Sequence, residues 1–221
     1  MEGVSFVRYS PQADNVRHTA QLVECYRNVF SDEPWHEWLK CQKCEKHWGK
    51  KDQDYLVSIK YQHCGAELVD FWSRNQVLAD LFHEITVDGS CWLAKDNDRV
   101  VGFCWGYSIK VIDLENKLGI MLNWKFGFER ENLVAYQDEI GVLSDYRKKG
   151  IAKAMFVKRL DDFLERGLRV GYVRTRQYPE PSETFLWYTQ KLGYQIIATY
   201  PGDDGRAILC RPFEGLKGLL S

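Results

Sequence analysis

Glu139-Ile-Gly-Val-Leu-Ser-Asp-Tyr-Arg-Lys-Lys-Gly-Ile-Ala-Lys-Ala154 is the stretch that decides the fold. Ile140 to Leu143 is a short apolar run and predicts a strand. Ser144 and Asp145 turn the chain, and Arg147-Lys148-Lys149-Gly150-Ile151-Ala152 forms a basic, glycine-containing loop. An amphipathic helix is predicted over 151–166, because Ile151, Ala154, Met155, Leu160, Phe163 and Leu164 fall mostly on one face. Gly167 stands where a C-terminal cap belongs. Strand, basic loop and helix start together make an anion site, since the first amides of a helix lack intrahelical acceptors and carry the positive end of the dipole. Gly150 allows close backbone approach, and the small Ala152 leaves room beside it. The spacing is neither G-x-x-x-x-G-K-[ST] nor G-x-G-x-x-G. A phosphate-bearing cofactor is the expected ligand.

Outward from this stretch the pattern is mixed α/β. Residues 4–9 predict a strand, 14–30 a helix ended by Ser31-Asp-Glu-Pro34, and 73–85 a second helix. Ser90–Ala94 and Val100–Tyr107 flank the polar turn Asp96–Arg99 and predict a hairpin. Residues 133–143 lead into the loop as a strand. After the loop helix come a strand at 170–175, a helix at 182–192, and strands at 194–200 and 206–211. The expected organisation is one domain over residues 1–221 with one central sheet, interrupted by a cysteine-rich insert at 35–70.

Composition narrows the function classes. With 221 residues, 45% hydrophobic and 28% charged, the chain has the make-up of a globular domain. A formal net charge of −1 argues against a dedicated nucleic-acid binder. No apolar run approaches the roughly 20 residues of a membrane span. Met-Glu-Gly-Val-Ser at the start lacks a basic-then-apolar leader, so the expected location is the cytoplasm and the seven cysteines are expected as thiols or metal ligands.

Arg147-x-x-Gly150-x-Ala152 directly after a strand resembles the pyrophosphate loop of the GNAT acyltransferase superfamily, whose pattern is Gln/Arg-x-x-Gly-x-Gly/Ala. The likeness extends over Asp138–Val142 and over Thr184-Phe-Leu-Trp-Tyr-Thr-Gln-Lys-Leu-Gly-Tyr194, and covers about residues 90–213. The resemblance implies a mixed central sheet with splayed strands flanked by helices, and transfer of an acetyl group from acetyl-coenzyme A (acetyl-CoA) to an amine. The amides of Lys148, Lys149, Gly150, Ile151 and Ala152 would hold the pyrophosphate, with Arg147, Lys148 and Lys149 adding charge. The strand bearing Gly141–Leu143 would splay from its neighbour, and the Val142 amide would polarise the thioester carbonyl.

A protonated amine has to lose a proton before or during attack, and Glu139 is the base expected to take it, through water, with Asp138 as the second choice. Strand alternation puts 138 and 139 on opposite faces. Tyr188 occupies the family's place for a proton donor to the departing thiolate. Where relatives carry an Asn before this Tyr, the chain reads Pro179-Glu-Pro-Ser-Glu183, with Ser182 as the substitute. The acceptor is an amine on a small molecule or a protein, with Trp35, Trp38, Trp105, Tyr107 and Trp124 as aromatic lining or as core. A homodimer is compatible with this reading.

The insert carries its own pattern. Cys41 and Cys44 have C-x2-C spacing, and Cys64-Gly65 resembles the second knuckle of a small zinc ribbon in which position 61 is Tyr. A structural zinc ion on Cys41, Cys44 and Cys64 is expected, with His63 preferred over His47 as the fourth ligand. Cys25, Cys91, Cys104 and Cys210 sit in apolar segments and read as core. The alternative function is a catalytically silent GNAT-like module whose knuckle and Lys40, Lys43, Lys46, Lys50 and Lys51 contact a protein or nucleic acid.

Overall fold

The computed structural model describes residues 3–13, 16–86, 88–122, 129–200 and 205–220. A seven-stranded mixed sheet is built from β1 (Val4–Arg8), β6 (Ser90–Asp96), β7 (Arg99–Lys110), β8 (Leu133–Val142), β9 (Val170–Arg176), β10 (Gln195–Thr199) and β11 (Arg206–Pro212), in the order β1-β6-β7-β8-β9-β11-β10. A second, four-stranded sheet in the insert has the order β3-β2-β5-β4, from β2 (Leu39–Cys41), β3 (His47–Trp48), β4 (Gln62–His63) and β5 (Ala66–Asp70). The helices are α1 (Val16–Ser31), α2 (Gln53–Ser58), α3 (Arg74–Glu84), α4 (Val111–Leu118), α5 (Ile151–Glu165) and α6 (Glu183–Leu186). Among the described residues no helix is long and apolar enough to cross a membrane.

The chain divides into two compact units. The first comprises residues 1–84, 92–103 and 140–152. Here α1 buries Leu22, Val23, Cys25, Tyr26, Val29 and Phe30 along one face. Tyr26 and Phe30 meet the Phe103 ring at centroid distances of 5.4 and 6.4 Å. β1 pairs antiparallel with β6 from Val4↔Asp96 to Arg8↔Trp92. At Gly141 the backbone is pressed against this cluster: an added Cβ would lie 2.4 Å from Phe103 Cζ and 2.9 Å from Val29 Cγ1.

The second unit comprises residues 85–91, 104–139 and 153–221. Its core brings Val111, Leu114, Leu118 and Leu122 together with Val134, Tyr136, Val170, Tyr172, Ile208 and Cys210. α5 ends in a Schellman cap, with Gly167 at φ 79°, Leu168 N–H on the Phe163 carbonyl and Gly167 N–H on that of Leu164. β9 and β11 pair antiparallel over seven residues. The β8–β9 pairing is parallel and confined to Ala135↔Gly171 and Tyr136↔Tyr172, so from Gln137 to Glu139 strand β8 runs on without a described ladder partner on β9.

Two elements differ from the sequence expectation. Val111, Leu114 and Leu118 recur at helical spacing with Gly119 in the left-handed region (φ 65°), so α4 follows β7 without a break where no helix was expected. The helix expected over 182–192 is α-helical only over Glu183–Leu186 and widens to a π turn over Trp187–Lys191. The wider turn accompanies the burial of Tyr188, whose ring packs on Phe156 and Tyr194 at 5.7 and 4.8 Å.

Gly141→Ala forces a methyl group into the Phe103–Val29 contact and is expected to cost about 2 kcal/mol. On a chain of this size that is a fall of about 4–8 °C in Tm, read by calorimetry. Gly218→Ala, where an added Cβ meets nothing within 4 Å, is the control and leaves Tm nearly unchanged.

Candidate functional site

In the first unit, β8 leads through a single 3-10 turn, Ser144–Tyr146, into the basic loop and the start of α5. The Leu143 amide donates to the Val101 carbonyl at 3.0 Å. Because successive residues of an extended strand point their backbone groups to alternate edges, the Val142 amide and carbonyl face the edge away from β7. The Val142 carbonyl accepts Arg147 Nε at 3.0 Å, and Arg147 Nη1 donates to the Glu33 carbonyl at 2.9 Å. Arg147 therefore braces the loop with its guanidinium, a use not expected from the sequence.

The loop itself is shaped for an anion. Lys148 and Gly150 both have left-handed φ, 61° and 79°. Non-glycine residues rarely adopt that conformation, and alternation of this kind turns successive amides to one side. Among the described residues, the amides of Lys148, Lys149, Gly150, Ile151 and Ala152 donate to no group of the protein. Lys148 and Lys149 add charge beside them, with Lys149 Nζ 5.2 Å from the Tyr146 ring centroid. The arrangement fits the pyrophosphate of a coenzyme A thioester: five free donors, a glycine and two ammonium groups.

In the second unit, the β8 segment beyond its ladder with β9 is held by a buried arginine. Arg159, on α5 and 1% exposed, donates to the carbonyls of Trp105 (2.8 Å) and Glu139 (3.0 Å), to Gln137 Oε1 (3.0 Å) and to the Tyr188 hydroxyl (2.9 Å). Gln137 Nε2 in turn donates to the Tyr194 hydroxyl at 2.7 Å. Tyr188 is fully buried; its hydroxyl donates to Gln137 Oε1 at 3.3 Å. Burial pushes that phenol up to about 12, against the pull of the Arg159 charge. Arg159 was not anticipated, although the signal was present: it falls four residues after Met155 on the apolar stripe of α5, where a cation needs a buried reason to stand.

The two neighbouring carboxylates differ. Asp138, its side chain 7% exposed, accepts from the Tyr107 hydroxyl at 3.1 Å and pairs with Lys117 Nζ at 3.3 Å. Glu139 is half-buried, and its carbonyl is the one tied to Arg159. Ser182, the substitute for a missing Asn, spends its hydroxyl capping α6 at Phe185 N–H and bonding Thr175. Trp105 is core, Trp35 packs on Phe30, and Trp124 lies outside the described residues. Burial pushes the Cys25 and Cys210 thiols up to about 12 and that of Cys104 up to about 11, which leaves them inert.

The insert brings the sulfurs of Cys41, Cys44 and Cys64 within 4.8 Å of one another. Cys44 and Cys64 Sγ are 3.7 Å apart. Tetrahedral zinc with Zn–S bonds of about 2.3 Å requires sulfur separations of about 3.8 Å, so the spacing suits the metal. Burial opposes charge on Cys41, yet the amides of Cys44 and Lys43 and the two neighbouring sulfurs outweigh it, and its thiol lies below the ordinary range. The structure does not bring His63 into this group: its ring packs edge-on against Trp48 at 5.0 Å, as that of His47 does against Phe71 at 5.2 Å. Lys40, Lys43, Lys46, Lys50 and Lys51 all have intramolecular partners. Lys40 lies over Phe71 and Lys46 over Trp48, Lys43 binds the Cys64 carbonyl, Lys50 binds Asn28, and Lys51 pairs with Glu33.

Comparison with known structures finds the same architecture. The PaiA N-acetyltransferase of Thermoplasma acidophilum in complex with coenzyme A superposes with a TM-score of 0.54 at 12% identity, covering 95% of this chain and 98% of that one. NAA60 of Arabidopsis thaliana in complex with acetyl-CoA gives 0.54 at 14% identity, covering 96% and 99%. PH1933 of Pyrococcus horikoshii gives 0.53 at 13% identity, covering 95% and 98%. A search of curated protein sequences finds no match. The family model for the acetyltransferase (GNAT) family matches residues 35–194, more than half of the sequence, and the chain belongs to that family.

Proposed function

We propose that the protein transfers the acetyl group of acetyl-CoA to a primary amine by direct attack. The observation that carries this is the run of five amides, Lys148 to Ala152, that have no acceptor among the described residues, at the start of α5 behind a left-handed Lys148 and Gly150. They would bind the pyrophosphate, and the Val142 amide, on the free edge of β8, would donate to the thioester oxygen as charge develops there. A donor fixed by the strand needs no reorganisation during reaction, which is why backbone is suited to the task.

Glu139 is the base in this reading, taking the ammonium proton through a water molecule. Asp138 is already engaged by Lys117 and the Tyr107 hydroxyl, which occupy its carboxylate within the protein. Tyr188 is the proton donor to the departing thiolate. Its raised phenol stays protonated at neutral pH, and Arg159 beside it would stabilise the phenolate that forms. The acceptor belongs to the class of primary amines, on a small molecule or a protein. The Cys41, Cys44 and Cys64 sulfurs would hold one zinc ion with a structural role, since acyl transfer to an amine requires no metal.

Acetyl-CoA at about 100 times its Kd is expected to stabilise the protein by about 2.7 kcal/mol, seen as a saturable rise in Tm. Gly150→Glu, which puts a side chain and a negative charge into the loop, removes the rise without lowering the Tm of the free protein by more than a few degrees.

With an acceptor found by screening for release of free coenzyme A thiol, Glu139→Gln is expected to lower kcat by about 10²–10⁴-fold and to leave KM for acetyl-CoA little changed. Asp138→Asn should reduce Tm more than it reduces kcat. The reverse ranking would make Asp138 the base.

A further inference from the structure

Three thiolates are one ligand short of the tetrahedral set that closed zinc sites use. Cys41 is buried against Trp48 and Leu56, while Cys44 and Cys64 are exposed, so the sulfur cluster borders solvent. The residues that would supply the fourth ligand point elsewhere. Tyr61 holds the sequence place of a fourth cysteine, three before Cys64 as Cys41 is three before Cys44, and its ring meets Trp38 edge-on at 6.5 Å. The rings of His63 and His47 pack against Trp48 and Phe71. Among the described residues no other His, Cys, Asp or Glu joins the three sulfurs.

The cluster is nevertheless built. Cys41 Sγ donates to the His63 carbonyl at 3.5 Å, which joins the first knuckle to the second. Lys43 Nζ ties the first knuckle to the second through the carbonyls of Cys64 (3.1 Å) and Gly65 (3.5 Å). A zinc ion bound by three thiolates carries a net charge of −1, and Lys43 lies beside the site to offset it.

We infer that Cys41, Cys44 and Cys64 form a three-thiolate metal site whose fourth position is open and exchangeable, taking water at rest and accepting a small thiol or an imidazole from solution. This rests on the zinc reading above and deepens it. The site is then a place where a small soft ligand enters the coordination sphere, in contrast to the sealed knuckles of a four-cysteine ribbon.

Cobalt(II) is the probe, because its visible d–d bands report the ligand set directly. The reduced, full-length protein, freed of metal and loaded with cobalt(II), is expected to bind one ion per chain with a thiolate charge-transfer band. Added 2-mercaptoethanol or imidazole should then shift the d–d bands saturably. Tyr61→Cys, which supplies the missing thiolate, should abolish that response, and His63→Ala should leave the wild-type spectrum unchanged. A wild-type spectrum indifferent to both added ligands, or one altered by His63→Ala, would mean that the protein closes the site itself and would overturn the inference while leaving the metal in place. Failure of the reduced protein to bind cobalt(II) or zinc(II) would remove both. The wild-type response alone decides the matter if Tyr61→Cys does not fold.

Discussion

A single buried guanidinium underlies the arrangement of strand β8 beyond its ladder with β9. A sheet that parts leaves polar groups in an apolar core without partners, and each such group costs about 1–3 kcal/mol if left unmade. In this protein the described β8–β9 ladder stops at Tyr136↔Tyr172, and Arg159 serves the segment that follows. Its acceptors are all neutral: the carbonyls of Trp105 and Glu139, the amide oxygen of Gln137 and the phenol of Tyr188. The cost of burying the cation is offset in part by fixed dipoles on several elements at once, while its Nε has no hydrogen-bond partner among the described residues. Glycine is needed for the backbone to close on this point, since a Cβ at Gly106 would lie 2.4 Å from the Tyr136 carbonyl oxygen.

Most of the fold was legible because its elements carry strong periodicity. The strands at 90–96, 99–110, 133–142 and 170–176 and the helix at 151–165 are where the apolar patterns place them, and the glycine at 167 caps the helix as expected. The basic loop was legible as well, since glycine and small residues between a strand and a helix have few other physical explanations. α4 was missed because its three apolar positions continue a long strand without punctuation. The side-chain contacts were the least legible. Nothing in a run of Arg147-Lys148-Lys149 says that the arginine would turn back on the Val142 and Glu33 carbonyls while the lysines remain beside the free amides. Likewise, the adjacency of His63 to Cys64 in sequence does not predict a ring turned onto Trp48.

The insert obeys a different constraint. Its apolar cluster consists of Cys41, Trp48 and Leu56 with Trp38, Leu39, Ile59 and Leu68 packed around them, and its strands are two to five residues long. So small a core supplies little stability, and metal ligation is the usual remedy at this scale. Three sulfurs converging at the knuckles, with the Lys40 and Lys46 ammonium groups over Phe71 and Trp48, are consistent with that economy of size. The acyl-transfer chemistry proposed above draws on none of these residues.

In the proposed function, the backbone of the Lys148–Ala152 loop binds the pyrophosphate of the acetyl donor. Hydrogen exchange of the full-length protein, followed by mass spectrometry with and without saturating coenzyme A, tests it most directly. Coenzyme A is expected to slow exchange of the amides from Lys148 to Ala152, which have no acceptor among the described residues, and Gly150→Glu to abolish the protection. Unchanged exchange across this loop, with coenzyme A bound and protection appearing elsewhere, would contradict it.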